Sequence, residues 1–263
     1  MSLLNNIRRK TYLFLLTLLA NLLLALILTY ARLIMPTKPT PDVIEYLPAL
    51  NPERKIKIHT YNPPSHLHPH HGLDNTYCHH IATKTGHHRY KYKVLDVCYR
   101  IAPEHPFPAA LEDISAVVTY VLAHPEEYDK SRISIGGFSA GANLAASITV
   151  NFSPRGTFWG LVLFCPVLDA GVGAAEKCRR LGESQGKGAK GRPEMGGMGS
   201  VPAFLMRFFQ ACYLAHGTGT GTGTSESVQN TEEVELSDPR VSPARADLSR
   251  FPKKCLFVTA EYD

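Results

Sequence analysis

The stretch IGGFSAGAN, residues 135–143, places Ser139 between Gly137 and Gly141, two residues away on either side. An apolar run precedes it and an alanine-rich run follows, so the pattern predicts a sharp turn from a strand into a helix. Such a turn crowds the backbone until a Cβ at either flanking position would clash, and glycine relieves the crowding. The serine is left projecting into an open site beside the first N–H groups of the helix. There Ser139 is the candidate nucleophile and the Ala140 backbone N–H a candidate oxyanion donor. The bland alternative is a glycine-rich turn with an idle serine, and the strand-to-helix context argues against it.

Working outward from the turn, strand and helix patterns alternate. Residues 54–64, RKIKIHTYNPP, alternate Ile56, Ile58 and Thr60 with basic residues and predict a half-exposed strand. A second strand is expected over 92–100, then a helix over 109–124 with Ala110, Ile114, Val117, Val118, Val121 and Leu122 on one face. Residues 132–138 form the strand entering the serine turn and 140–150 the helix leaving it. The apolar runs at 159–168 and 255–263 read as strands buried on both faces. This alternation indicates an α/β fold with a mostly parallel sheet flanked by helices. Between the last two strands lies an insertion of different character, 169–250, with a glycine-rich basic stretch at 182–199 and a GTGTGTGT tract at 217–224. Neither can build a core. Between them, VPAFLMRFFQACYL (201–214) carries Val201, Phe204, Leu205, Phe208, Phe209 and Cys212 along one stripe. It reads either as a packing helix or as the acyl-pocket wall of a lid.

At 263 residues and 44% hydrophobic content the chain can bury a substantial core. The net charge of +5 is scattered rather than striped, which gives no footprint for nucleic acid. Six cysteines without CxxC spacing read as buried thiols rather than a disulfide framework. Eight histidines (His66, His68, His70, His71, His79, His80, His87, His88) and Cys78 crowd one region, yet show no fixed ligand spacing; we read a solvated loop and no metal. At the N-terminus, residues 11–31 carry no charge and are leucine-rich. They would make a helix of about 32 Å, enough to cross a hydrocarbon core. Tyr12 and Tyr30 mark its ends, and a cleaved signal peptide is the competing reading. The expected organisation is a membrane anchor over 1–35, a linker over 36–54 and an α/β domain over 55–263. Arg8, Arg9 and Lys10 favour a cytoplasmic N-terminus and a lumenal body, as in the endoplasmic reticulum.

VCYRIAPEHPFPAALED (97–113), followed by GFSAGANLA (137–145), closely resembles the hormone-sensitive-lipase-like family of α/β-hydrolases, esterases and lipases acting on carboxylic esters. LSDPRVSPARADLSRFPKKCLFVTAEYD (236–263) resembles that family's segment leading to the triad acid. The resemblance implies an α/β-hydrolase fold with an inserted lid, a small-molecule or lipid ester as substrate, and no cofactor. It also implies acyl transfer through an acyl-enzyme, with Ser139 as nucleophile, Gly137 and Gly141 as elbow glycines and Asp263 as triad acid.

Two departures from the family pattern stand out. The fold orders its triad serine, acid, histidine, and no residue follows Asp263, so the triad histidine is absent from the chain. The only histidine after Ser139 is His216, which precedes the acid. The family's apolar strand and His-Gly-Gly oxyanion loop also have no counterpart. Residues 62–82 run straight through that region, and only His71-Gly72 is faintly similar to the loop. An internal strand is therefore expected to be missing from the sheet, with the edges of both neighbours exposed. An ester hydrolase, a hydrolase-like protein that binds without turnover, and an incomplete version of a membrane-bound esterase all remain open at this point. The last predicts a longer natural product with a histidine loop beyond Asp263.

Overall fold

The structure is a computed structural model that describes residues 41–62, 74–86, 92–171, 203–214 and 235–259, with six single positions between Thr11 and Thr29; for 74–76, 85–86 and 203–205 it describes the backbone alone. Of the predicted anchor, only those six positions are described, and all are helical. Among the described residues no helix is long and apolar enough to cross a membrane.

Two compact units divide the described chain. In the first, alternation in the 54–64 stretch produces strand β2, Lys55–Tyr61, with Ile56, Ile58 and Thr60 buried. Strand β1, Val43–Pro48, pairs with it antiparallel, placing Leu47 opposite Ile56. The expected linker over 36–54 therefore holds a strand. Its proline and polar content masked the alternation of Ile44 and Tyr46 with Glu45 and Leu47. Helix α1, Asp74–Gly86, precedes strand β3, Val94–Cys98, which pairs antiparallel with the other edge of β2. Helix α2, Ala109–Ala123, contributes Glu112–Tyr120 to this unit. Its Ala116 and Val117 close a core with Leu47, Ala49, Ile56 and Ile58.

The second unit carries the glycine-flanked serine. Strands β4 (Ser134–Phe138), β5 (Gly160–Phe164) and β6 (Cys255–Val258) form a parallel sheet in that order, with Phe138 opposite Phe164 and Phe164 opposite Val258. Helix α3, Ala140–Ser147, follows β4 and runs on into a π-helical turn, Ile148–Phe152. Ala142, Ala145 and Ala146 let α3 sit close on Leu161 and Leu163, with Ile135 and Phe251 at the margin. Burying each leucine completely is worth roughly 1.5–3 kcal/mol. Helix α4, Ala203–Leu214, lies in the insertion.

Two expectations need correction here. β6 was expected to be buried on both faces, yet all four of its residues are exposed. Among the described residues it is an edge strand, and the core under α3 is built from β4 and β5 side chains. The thiols were expected to be buried; of the five described, only Cys212 is, while Cys98, Cys165 and Cys255 are exposed. The described strands form two three-stranded sheets, β1-β2-β3 and β4-β5-β6. Among the described residues β3 and β4 each lie at the edge of their own sheet.

Candidate active site

Ser139 stands at the junction of β4 and α3 with φ 49° and ψ −108°, in left-handed space that a residue with a Cβ rarely enters. Such a conformation costs of order 1–3 kcal/mol and persists only when its surroundings over-determine it. The Ser139 N–H donates to the Phe164 carbonyl on β5 at 2.9 Å, and its own carbonyl accepts the Asn143 N–H at 3.1 Å. A serine at a helix N-cap ordinarily turns its side chain onto the first-turn N–H groups. Ser139 makes no such cap and is exposed. The first-turn amides, the Ala140 N–H first among them, have no intrahelical acceptor.

The two elbow glycines differ. At Gly137 a Cβ would lie 2.5 Å from the Gly141 carbonyl carbon and oxygen and 2.9 Å from the Ala142 nitrogen, so glycine is obligatory there. At Gly141 a Cβ would meet nothing within 4 Å, and the predicted steric role of that residue is corrected. The second crowded position is Gly136, where a Cβ would lie 2.7 Å from the Val162 carbonyl oxygen. The strand pair β4–β5, not the helix side of the turn, makes that demand.

Asp263, His71, Gly72 and His216 lie outside the described residues, so among the predicted site residues the structure brings together Ser139, Ala140, Gly137 and Gly141. His79 and His80 sit in α1, and no group of three or more metal-ligating side chains gathers among the described residues. A contribution absent from the sequence-based expectations comes from a polar stripe along α3 and the π-helical turn that continues it. Asn143, Ser147 and Asn151 donate to the carbonyls of Val241, Arg240 and Pro239 at 2.9, 2.6 and 2.9 Å. The signal was present as polar residues at i, i+4 and i+8 in an otherwise apolar helix.

A family model for the α/β-hydrolase fold matches residues 68–191. The esterase LipI of Mycobacterium tuberculosis is 47% identical over 57 residues, which are 21% of this chain and 18% of LipI. An esterase from Pyrobaculum calidifontis shares the fold with a TM-score of 0.57 at 24% identity, covering 86% of this chain and 68% of that structure. An esterase of the bacterial hormone-sensitive lipase family matches at 26% identity and a TM-score of 0.52, covering 84% of this chain and 66% of that one. Over these stretches the chain is similar to the hormone-sensitive-lipase-like α/β-hydrolases. Against the curated relatives its matched stretch is short, less than a fifth of LipI.

In this hydrolase relative the most specific stretch of the resemblance, residues 97–113, turns out to be architectural. Asp113 is wholly buried on α2 and accepts from the Arg54 guanidinium, from the Arg100 backbone N–H at 3.0 Å and from the Arg100 Nε at 3.1 Å. Arg100 also donates to Glu112 at 2.7 Å. Burial alone would push the Asp113 carboxyl up; the hydrogen bonds from Arg100 and Arg54 outweigh it and hold the carboxyl below its ordinary value. The arginine and the last two acids of YRIAPEHPFPAALED thus tie the segment after β3 to α2, and Arg54 ties in the turn before β2. Within the block, Phe107 donates its N–H to the Tyr213 carbonyl of α4 at 2.8 Å. Its ring meets that of Tyr213 edge-on at 5.8 Å.

Proposed function

We propose that the protein is a carboxylic ester hydrolase whose nucleophile is Ser139. The observation that carries this is the strained elbow: a serine in left-handed space at a strand-to-helix turn, exposed, and free of the capping bond it would otherwise make. Oγ attacks the ester carbonyl carbon while a base takes its proton, and the oxyanion collects against the Ala140 N–H. The C–O bond to the alcohol breaks as the alcohol leaves with a proton, and water then hydrolyses the acyl-enzyme. Asp263 is our candidate for the acid that orients the base, on the resemblance of 236–263 to the family. We assign 169–250 as a lid and α4 as the wall of its acyl pocket. We assign 11–31 as a single-pass anchor with the hydrolase domain on the lumenal side, on the strength of its uncharged length and flanking tyrosines.

A second reading, binding of esters without turnover, is favoured by one feature: among the described residues β4 is hydrogen-bonded only to β5. One experiment separates the two. The full chain in detergent is assayed with p-nitrophenyl acetate, butyrate and octanoate beside Ser139→Ala. Hydrolysis lost in Ser139→Ala supports the esterase. Ester binding without Ser139-dependent release of p-nitrophenol overturns it in favour of the binder. Alkaline carbonate extraction of membranes tests the anchor: release of the chain into the supernatant refutes it.

A further inference from the structure

Asn143 is tied into the site at two levels. Its backbone N–H holds the Ser139 carbonyl, while both N–H groups of its carboxamide are spent on distant chain, Val167 O at 2.7 Å and Val241 O at 2.9 Å. Val167 lies just past β5 and Val241 near the end of the insertion. These are the two stems of the lid, and they are stitched to one another. The Ala170 N–H donates to Ser242 Oγ at 2.8 Å, the Ala244 N–H to Leu168 O at 3.0 Å, and Arg245 pairs with Asp169 at 3.0 Å. Helix α4 joins the same assembly, Gln210 donating to Ala170 O at 3.1 Å. From Asn143 to α4, each link is a hydrogen bond in the second unit.

We propose that Asn143 is a positioning residue for the acyl side of the site. It does not touch substrate; it hangs the lid stems, and through them α4, from the helix that begins at the nucleophile. The proposal rests on the reading of Ser139 as an esterase nucleophile and of α4 as the acyl wall. Its chemistry is specific, because both acceptors are carbonyl oxygens and only a double donor satisfies them. The isosteric Asn143→Asp brings a carboxylate against two carbonyls and leaves all of them without a donor.

The test compares wild type, Asn143→Asp and Asn143→Ser in the full chain in detergent. It reads kcat and KM for p-nitrophenyl octanoate and acetate, and amide hydrogen exchange across 236–246. Loss of the clamp should lower the octanoate-to-acetate ratio of kcat/KM about tenfold, the scale of one misplaced methylene contact in an apolar pocket. The fall should appear largely in KM for octanoate, with faster exchange across 236–246. Asn143→Ser, which keeps one donor, should lie between. A purely structural role would lower both esters by one factor through the folded fraction, and an unchanged ratio overturns the proposal. Unchanged exchange in Asn143→Asp overturns the clamp itself. Absence of Ser139-dependent turnover in the wild type overturns the esterase reading and the acyl-side role with it, which the exchange data distinguish from failure of the clamp.

Discussion

Gly137→Ala and Gly141→Ala change the same atom count on either side of the nucleophile and should have opposite effects. A Cβ on Gly137 arrives 2.5 Å from the Gly141 carbonyl. To restore an ordinary contact of 3.4 Å the first turn of α3 must retreat by about 0.9 Å. The obstructing atoms are backbone, so no rotamer absorbs the clash, and the cost belongs at the upper end for overpacking, about 3 kcal/mol. The displaced turn carries Ser139 and the Ala140 N–H, and a shift near 1 Å in a catalytic geometry costs on the order of 10²-fold in rate. A Cβ on Gly141 enters open space in a helical residue whose φ is not positive. It should gain about 0.5–1 kcal/mol from lost unfolded-state freedom and better helix propensity. Urea unfolding followed by the fluorescence of Trp159, the single tryptophan, measures the difference. Equal destabilisation by the two variants, or a larger loss at Gly141, would refute the steric account of the elbow.

Three further outcomes follow from the packing and charges. Asp113→Asn should cost about 3 kcal/mol, toward the low end for breaking a buried ion pair, because the side chains of Arg54 and Arg100 are 33% and 25% exposed and recover hydration. Because the folded carboxyl titrates below its ordinary value, Asp113 stabilises the fold above the ordinary carboxylate range. That contribution is lost as pH falls through the lower folded value, so acid unfolding of Asp113→Asn should show a shallower pH dependence than wild type. Leu163→Ala should cost about 2–5 kcal/mol, since Leu163 is wholly buried under α3. Phe257→Ala on β6, with the residue 50% exposed, should cost under about 2 kcal/mol; chemical denaturation of the pair checks both values.

What was legible in the sequence divides by range. The elbow, β2, β4, β5 and the helices flanking them rest on local periodicity and on glycine spacing, and a single chain displays both. β1 was missed because its alternation is diluted by prolines and charges, and its pairing with β2 is set by partners 7 to 17 residues away. Gly136 was passed over for a similar reason. Its neighbour is the Val162 carbonyl across the strand pair, whereas the spacing of Gly137 and Gly141 draws attention to the turn. The Asp113 network was invisible because a charged residue on a helix reads as solvated until its burial is known. The block 97–113 marks the family strongly because it must satisfy a buried carboxylate from two sides, a demand on several residues at once. The candidate nucleophile needs only a turn and an open hydroxyl.

That difference bears on what the elbow can do when, among the described residues, β5 is the one strand hydrogen-bonded to β4. Three constraints fix Ser139: the Phe164 carbonyl on β5, the Asn143 N–H in α3, and the close approach of Gly137 to the Gly141–Ala142 peptide. None comes from the edge of β4 away from β5. Ser139 and the Ala140 N–H are therefore held by β5 and α3, whereas turnover in the proposed reaction also needs a base, and losing one oxyanion donor alone costs about 10²–10³ in rate. Covalent capture should accordingly outlast catalysis. A fluorophosphonate, which needs one attack and no deacylation, should label Ser139 in the folded full chain even where ester turnover is slow. Labelling should fall in Gly137→Ala and persist in Gly141→Ala. Intact-mass and peptide mass spectrometry read the site directly. A folded chain whose Ser139 stays unlabelled, or labels equally in Gly137→Ala, would show that β5 and α3 alone do not hold the nucleophile in place.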